Sequence, residues 1–353
     1  MGKFGVCSGF LGAGKTTLMM ALTRYCTAHG LPAAMISNDL GEGVTLADHR
    51  LARLSGARAE EITGECICFC HDVLTARLDA LFGEGCALVL SDIPGFGVGA
   101  LEHVYHGLET EHPGAYALAP FTVVIEPRRA AALRSGTAGE DGEILRAQLM
   151  EADLIALNKC DLLAPAEREA LAAYLAQQAP EARVLCVSAA TGEGLYALRD
   201  ALMTGAASLR HPRIDYEADA LQNAMGRLSE YYFQYRAVVC CDDFDGTAYL
   251  RDLARRAQEA LAAAGAELPH LKLLAWGPEG DFGRVDALSV SRGAETARAF
   301  ARPCTDVAVV LNATGACPAE TLDRCVTSAA EAASKAYQLE MTVFAKDCFG
   351  MDE

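Results

Sequence analysis

Gly9-Phe10-Leu11-Gly12-Ala13-Gly14-Lys15-Thr16-Thr17 is the stretch that decides the fold. It satisfies G-x-x-x-x-G-K-[ST] and stands where that pattern has a mechanism, directly after a strand-like Phe4–Ser8 and opening a helical run, Thr17–Thr27. Glycines let the backbone N–H groups of Gly9, Gly12, Ala13 and Gly14 wrap phosphate oxygens, and the helix N-terminus adds positive potential. Lys15 is expected to reach the β- and γ-phosphates, Thr16 to bind Mg²⁺ through its hydroxyl, and Thr17 to complete the phosphate contacts.

Outward from this loop, short buried-strand patterns alternate with helical ones. Ala33–Ser37, Ala87–Ser91, Phe121–Ile125, Leu154–Asn158 and Val184–Ser188 read as strands, and Val73–Phe82, Ile144–Ala152 and Pro165–Gln178 as helices. Strands separated by helices imply an α/β fold: a doubly wound, mostly parallel sheet of the P-loop NTPase kind. The pattern lapses around Gly205–Ile214. Beyond it a strand-like Gln234–Cys241, a helix Ala248–Ala264, β-rich segments His270–Trp276, Val285–Ser291 and Thr305–Leu311, and a helix Pro318–Tyr337 predict a smaller α+β domain. The expected organisation is a nucleotide domain over 1–204, a linker and connecting helix over 205–230, the α+β domain over 231–340, and a tail over 341–353.

Three further motifs follow the loop in order, each after a strand. Asp92-Ile93-Pro94-Gly95 puts an aspartate where Mg²⁺ is held and a glycine whose N–H can approach the γ-phosphate. Asn158-Lys159-Cys160-Asp161 offers Asp161 to the N1–H and exocyclic amine of guanine. Adenine lacks that pair of donors, so it would leave the aspartate unsatisfied; adenine specificity is the second reading. Ser188-Ala189 offers backbone to guanine O6. Together they predict GTP binding with Mg²⁺. No glutamine follows Gly95; Phe96 does, so Asp39, Glu42 and Asp48 are the candidates to orient the attacking water, and hydrolysis is expected to be slow and stimulated by dimerisation or a partner. Lys15, Asp39 and Asp92 are the expected catalytic set.

The composition narrows the partners. The 353 residues carry a formal charge of −17, which argues against nucleic acid, since phosphate backbones need a basic surface. Apolar residues reach 52% with only 7% aromatic, which suits a folded, helix-rich chain and excludes a disordered one. No run is long and uncharged enough to span a bilayer, and neither a secretory leader nor a myristoylation pattern is evident, so no membrane partner and a cytoplasmic location are expected. There the 14 cysteines are expected as thiols or metal ligands rather than disulfides. Most lie in apolar runs and read as packing residues. Cys66, Cys68 and Cys70 do not.

The segments Gly9 to Thr17, Asp92 to Gly95, Gln148 to Leu162 and Ser188-Ala189 resemble the CobW-type metal-chaperone GTPases, the CobW/HypB/UreG-like group whose relatives deliver nickel to urease and hydrogenase. Asn38-Asp39-Leu40-Gly41-Glu42 stands where that family has Asn-Glu-Phe-Gly-Glu. The resemblance covers about Lys3 to Leu202 and extends more weakly through Pro269-His270-Leu271-Lys272. It implies GTP-dependent dimerisation, a client metalloenzyme or cofactor-dependent enzyme, and a G-C-x-C-C metal motif. Here that motif is altered to Gly64-Glu65-Cys66-Ile67-Cys68-Phe69-Cys70-His71. In an extended strand i and i+4 lie about 13 Å apart. Thiolates on one zinc bind at about 2.3 Å each, which requires sulfurs within roughly 4 Å. A straight Cys66–Cys70 strand therefore cannot chelate one ion; the segment must curl, or a ligand must come from His71, a dimer mate or a client. Soft ligands of this kind suit Zn²⁺ or Cu(I), with Co²⁺ tolerated and Ni²⁺ included by the resemblance. Two other readings stand beside a metallochaperone: a metal-free, GTP-switched docking protein for a cofactor-dependent client, and a thiol redox sensor. Glu102-His103-x-x-His106 and Glu111-His112 read as a solvated helix face, on which two histidines three apart could also meet a metal. Cys240-Cys241 read as packing residues.

Overall fold

The structure is a computed structural model and describes residues 2–41, 47–94, 97–212, 214–239 and 242–351. It divides into two compact units. In the first, β1 (Lys3–Ser8), β2 (Ala33–Asp39), β3 (Ala59–Thr63), β4 (Leu88–Asp92), β5 (Ala117–Leu118), β6 (Thr122–Ile125), β7 (Leu154–Leu157) and β8 (Arg183–Cys186) build an eight-stranded sheet. The order is β3-β2-β4-β1-β6-β7-β8, with β5 beside β1, and every pairing given for these strands is parallel. Its central strands are buried on both faces, as their unbroken apolar runs require. The helices of this unit are α1 (Lys15–Ala28), α2 (Ala47–Leu54), α3 (His71–Gly83), α4 (Gly107–Glu111), α5 (Pro127–Ser135), α6 (Asp141–Met150), α7 (Pro165–Gln178), α8 (Leu195–Thr204) and α9 (Asp219–Gly226). α2 begins in the second unit and ends in the first from Ala52, and α9 runs on past Ala224 into the second.

From β1 the chain winds to one side through β2, β3 and β4, then crosses to β6, β7 and β8 on the other. The reversal at β1 leaves a crevice at the C-terminal ends of the strands, which is where open parallel sheets bind ligands. The P-loop opens into it.

The second unit has a six-stranded antiparallel sheet from β9 (Ser229–Val239), β10 (Glu267–Trp276), β11 (Phe282–Ala287), β12 (Glu295–Arg298), β13 (Asp306–Ala316) and β14 (Leu339–Gly350), in the order β12-β11-β10-β13-β9-β14. Helices α10 (Gly246–Ala263) and α11 (Ala319–Ala336) bury their apolar stripes in the core beneath it, which includes Tyr231, Phe233, Tyr235, Leu271 and Leu273. Asp245 caps α10, its carboxylate accepting from the N–H groups of Thr247 and Ala248 at 2.9 Å each, worth about 1 kcal/mol.

Two boundaries differ from expectation. The expected tail from residue 341 is most of β14, paired along β9. Residues Gly41–Leu51, between β2 and β3 in the chain, group with the second unit, and the first continues to Ala224. Within the second unit Lys272 pairs with Asp48, and the Arg50 guanidinium lies 4.6 Å from the centre of the Trp276 ring. Among the described residues no helix is long and apolar enough to cross a membrane.

Candidate functional site

β1 is followed by Gly9, whose φ of +139° places the position of a Cβ 2.1 Å from the Val124 carbonyl oxygen, so only glycine fits. Gly14, at φ +90°, is equally restricted: a Cβ there would meet Asn158 Nδ2 at 2.6 Å. Between them the loop turns through Gly12 and the buried Ala13 into α1. The Lys15 ammonium reaches back to the Gly9 carbonyl at 2.5 Å, so its charge lies over the cradle. Thr16 is buried on the first turn of α1, and Thr17 follows it half-buried. Asp92, buried at the end of β4, stands opposite Cys7 in the pairing with β1. Thr16 and Asp92 offer hard oxygen ligands next to the cradle, which fits Mg²⁺. Burial, then the Asp92 charge, pushes the Cys7 thiol up to about 12, so it adds no charge there.

A single buried side chain ties three of the expected loops together. Asn158, just after β7, donates from Nδ2 to the Ala13 carbonyl at 3.0 Å and accepts the Ala189 N–H on Oδ1 at 3.2 Å. Lys159 adopts φ +58° and donates to the Gly12 carbonyl at 2.9 Å while pairing with Glu126 at 3.1 Å. Asp161 is exposed on the short turn Cys160–Leu162, where an incoming base can reach it. Ser188 is buried, with its hydroxyl accepting the Thr191 N–H at 3.1 Å. Gly95, Phe96 and Glu42 lie outside the described residues, as do Cys240 and Cys241.

The cysteine segment does not continue as a strand. β3 stops at Thr63, and residues 67–69 form a turn before α3. The curl brings the Cys66 and Cys68 sulfurs to 2.7 Å, and the Cys66 sulfur also accepts the Cys68 N–H at 3.3 Å. Hydrogen bonding from Cys68 draws the Cys66 thiol below its ordinary range, while the Cys68 thiol is pushed up. Of the two thiols, Cys66 is the more acidic. Cys70 turns away, its sulfur donating to the Cys66 carbonyl at 3.3 Å, and burial pushes it up to about 11. Both ring nitrogens of His71 are engaged, by Glu111 at 3.0 Å and by the His103 carbonyl at 2.8 Å. Among the described residues no group of three His, Cys, Asp or Glu side chains is placed to hold one ion. The structure thus brings Cys66 and Cys68 together and leaves Cys70 and His71 out of the pair. His103 lies between the rings of Phe69 and Tyr216, at 5.4 and 5.8 Å. Asp39 ends β2 half-buried, accepting the Leu40 N–H at 2.9 Å, and Asp48 is committed to Lys272.

Three residues here have partners that a reading by motif does not supply. Asn38, 4% exposed, joins Asp92 to the cysteine loop. Glu126 is a buried carboxylate at a strand end and holds Lys159. Glu151, also buried, accepts the N–H groups of Gly99 at 2.9 Å and Leu101 at 3.2 Å, and burial pushes it up to about 7. The only sequence signal for the last two is a charged residue flanking a buried strand.

A P-loop in the switch-point crevice, an aspartate buried at the end of the neighbouring β4 and an Asn-Lys-x-Asp turn bound to the same loop are the parts of a P-loop GTPase. The family description "CobW/HypB/UreG, nucleotide-binding domain" matches residues 4–186, and the chain belongs to that family. No curated protein matches it. Among solved structures it is similar to HypB from Helicobacter pylori in complex with nickel, with 19% identity, 56% of this chain and 84% of that chain covered, and a TM-score of 0.38. It is also similar to the Zn(II)-bound YjiA GTPase from E. coli, with 16% identity, 93% and 98% covered, and a TM-score of 0.35. Neither likeness carries the bound metal across to this chain.

Proposed function

We propose that this protein is a Mg²⁺-dependent GTPase that carries a transition metal on Cys66 and Cys68 and hands it to a client metalloenzyme. The observation that carries the reading is the 2.7 Å approach of those two sulfurs in a curled loop anchored beside Asp92. Two thiolates on one zinc require sulfurs within roughly 4 Å, so this pair needs only to part slightly to bind. A tetrahedral ion would keep positions for ligands from outside the pair, which suits a cargo that must leave. Cys70 would join only after releasing the Cys66 carbonyl.

In the nucleotide site, P-loop N–H groups and Lys15 would neutralise the β- and γ-phosphate oxygens, and Thr16 and Asp92 would hold Mg²⁺, which supplies charge neutralisation there. Water attacks the γ-phosphorus, the bond to the β–γ bridging oxygen breaks, and GDP and phosphate leave. Asp39, at the end of β2, would orient the water. Asp161, with the Ser188-Ala189 backbone, would select guanine. Slow turnover, stimulation by a GTP-dependent second copy or by the client, and a cytoplasmic location complete the reading.

The test is metal uptake by the full chain with and without a non-hydrolysable GTP analogue, in wild type and in a Cys66→Ser/Cys68→Ser variant. Wild type is expected to take up Zn²⁺ or Co²⁺ more tightly than about 1 μM, and the variant to lose this by at least about tenfold. Absence of such uptake in the GTP-bound wild type, with Ni²⁺ tried as well, would end the chaperone reading.

A further inference from the structure

We propose that Asn38 is the positioning residue through which the state of the Mg²⁺-side carboxylate, Asp92, reaches the Cys66–Cys68 thiols. The proposal rests on the reading of Asp92 as that carboxylate; it does not depend on which metal, if any, the thiols carry.

The connection is continuous and short. The Asn38 backbone N–H donates to Asp92 Oδ1 at 2.9 Å. Its side-chain Nδ2 donates to the carbonyls of Ile62 at 3.1 Å and Glu65 at 2.8 Å, and its Oδ1 accepts the Ile67 N–H at 2.8 Å. Ile67 is the residue between the two cysteines. Between the carboxylate and the thiol loop stand only two hydrogen bonds and the Cα, Cβ and Cγ of one residue. The residue is buried, so its bonds are made in a low-dielectric setting and are costly to leave unmade. Both N–H groups and the oxygen of the carboxamide are used, so the side chain cannot turn without breaking one of them.

No other residue type reproduces this set. Aspartate would keep an acceptor for Ile67 but face the Ile62 and Glu65 carbonyls with negative oxygen. Serine is too short to serve both sides, and glutamine would push the loop outward by a methylene. The neighbouring Asp39 carbonyl accepts the Gly64 N–H at 3.1 Å, so the loop hangs on the end of β2 by backbone as well as side chain. That backbone bond holds the loop in place; the carboxamide sets the position of the cysteines. An Mg²⁺–nucleotide that draws on Asp92 competes for the charge to which the Asn38 N–H is bonded, and a shift of that bond moves the carboxamide with the same Cα.

The reactivity of Cys66 reads this directly, because Cys66 is partly exposed. Alkylation by iodoacetamide would be followed by peptide mapping of the full chain, without nucleotide and with saturating Mg²⁺ and a non-hydrolysable GTP analogue, saturation being checked for each protein. Wild type is expected to change its Cys66 rate by about fivefold or more between the two states, the size of an ordinary coupling between sites. Asn38→Ala keeps the backbone bond to Asp92 and is expected to bring that ratio close to one. A residue that merely supports the loop would, when removed, raise both rates together and leave the ratio unchanged. Asn38→Asp serves where the alanine variant fails to fold, and is expected to flatten the ratio as well. A wild-type rate indifferent to Mg²⁺–nucleotide, or a variant that keeps the wild-type ratio, overturns the proposal. A responsive Cys66 in a protein that takes up no metal leaves this coupling standing and removes only the chaperone reading.

Discussion

Asp161 is exposed at the mouth of the site, on a turn fixed by the buried Asn158 and by Lys159 beside it. Its neighbours build the loop, and its own side chain stays exposed, as the proposed contact with a base requires. Asp161→Asn is therefore expected to fold normally, to weaken GTP binding by at least about tenfold, and to gain affinity for XTP, whose C2 carbonyl suits an amide donor. Equal GTP affinity in wild type and variant, measured by calorimetry, would contradict the assignment of guanine recognition. That the P-loop, the Asn158–Asp161 turn and Ser188-Ala189 should meet is legible in the sequence, because each is a short contiguous run at the end of a strand. Asn38 is not. Its partners, at Ile62, Glu65, Ile67 and Asp92, lie 24 to 54 positions away, and nothing in a stretch around position 38 states that its carboxamide is shared among them.

At the level of elements, the strands that escape a reading by apolar runs are, apart from the two-residue β5, edges. β3 (AEEIT) closes one side of the parallel sheet, while β12 (ETAR) and β14 border the antiparallel one. Edge strands carry charge against unwanted pairing, so the hydrophobic pattern that reveals a central strand is diluted in them. Glu151 belongs to this scale as well, since it follows α6 and holds the backbone at Gly99 and Leu101, where an earlier helical stretch, Leu101–His106, begins. Burial raises its carboxyl from 4.5 to about 7; the Gly99 and Leu101 N–H groups and His211 oppose the rise, and Glu102 adds to it. A carboxyl whose pKa is higher folded than unfolded contributes stability that is fully present below the unfolded value. That stability is lost as pH rises toward the folded value, at up to about 1.4 kcal/mol for each pH unit crossed between the two. Glu151→Gln cannot ionise. Its melting temperature relative to wild type is expected to rise by several degrees between pH 5 and pH 8, on top of a pH-independent offset from the altered hydrogen bonds. Parallel curves across that range would show that the carboxyl titrates in its ordinary region.

For the whole molecule, the linear sequence shows two domains but not their true division. The composition lapses near 205–214, yet the first unit continues to Ala224, and the second claims Gly41–Leu51 from far upstream. Asp48 and Arg50 carry no local mark that their partners are Lys272 and Trp276, since an ion pair and a cation–π contact are formed across more than two hundred positions. A protein truncated after Ala224 keeps this upstream segment but loses its partners. Backbone amides of 47–51 are expected to exchange at least about tenfold faster in it than in the full chain, by hydrogen-exchange mass spectrometry.

The same crossing limits how such a protein can be recombined. A C-terminal unit taken from a relative and joined after Ala224 would arrive without the upstream segment that groups with it, and would meet this chain's own segment instead. A workable exchange needs two junctions on the upstream side, near Leu40 and Ala52, so that residues 41–51 travel with the unit that holds them. Those residues begin two positions after Asp39, so exchanging the second unit in this way also replaces chain beside the end of β2.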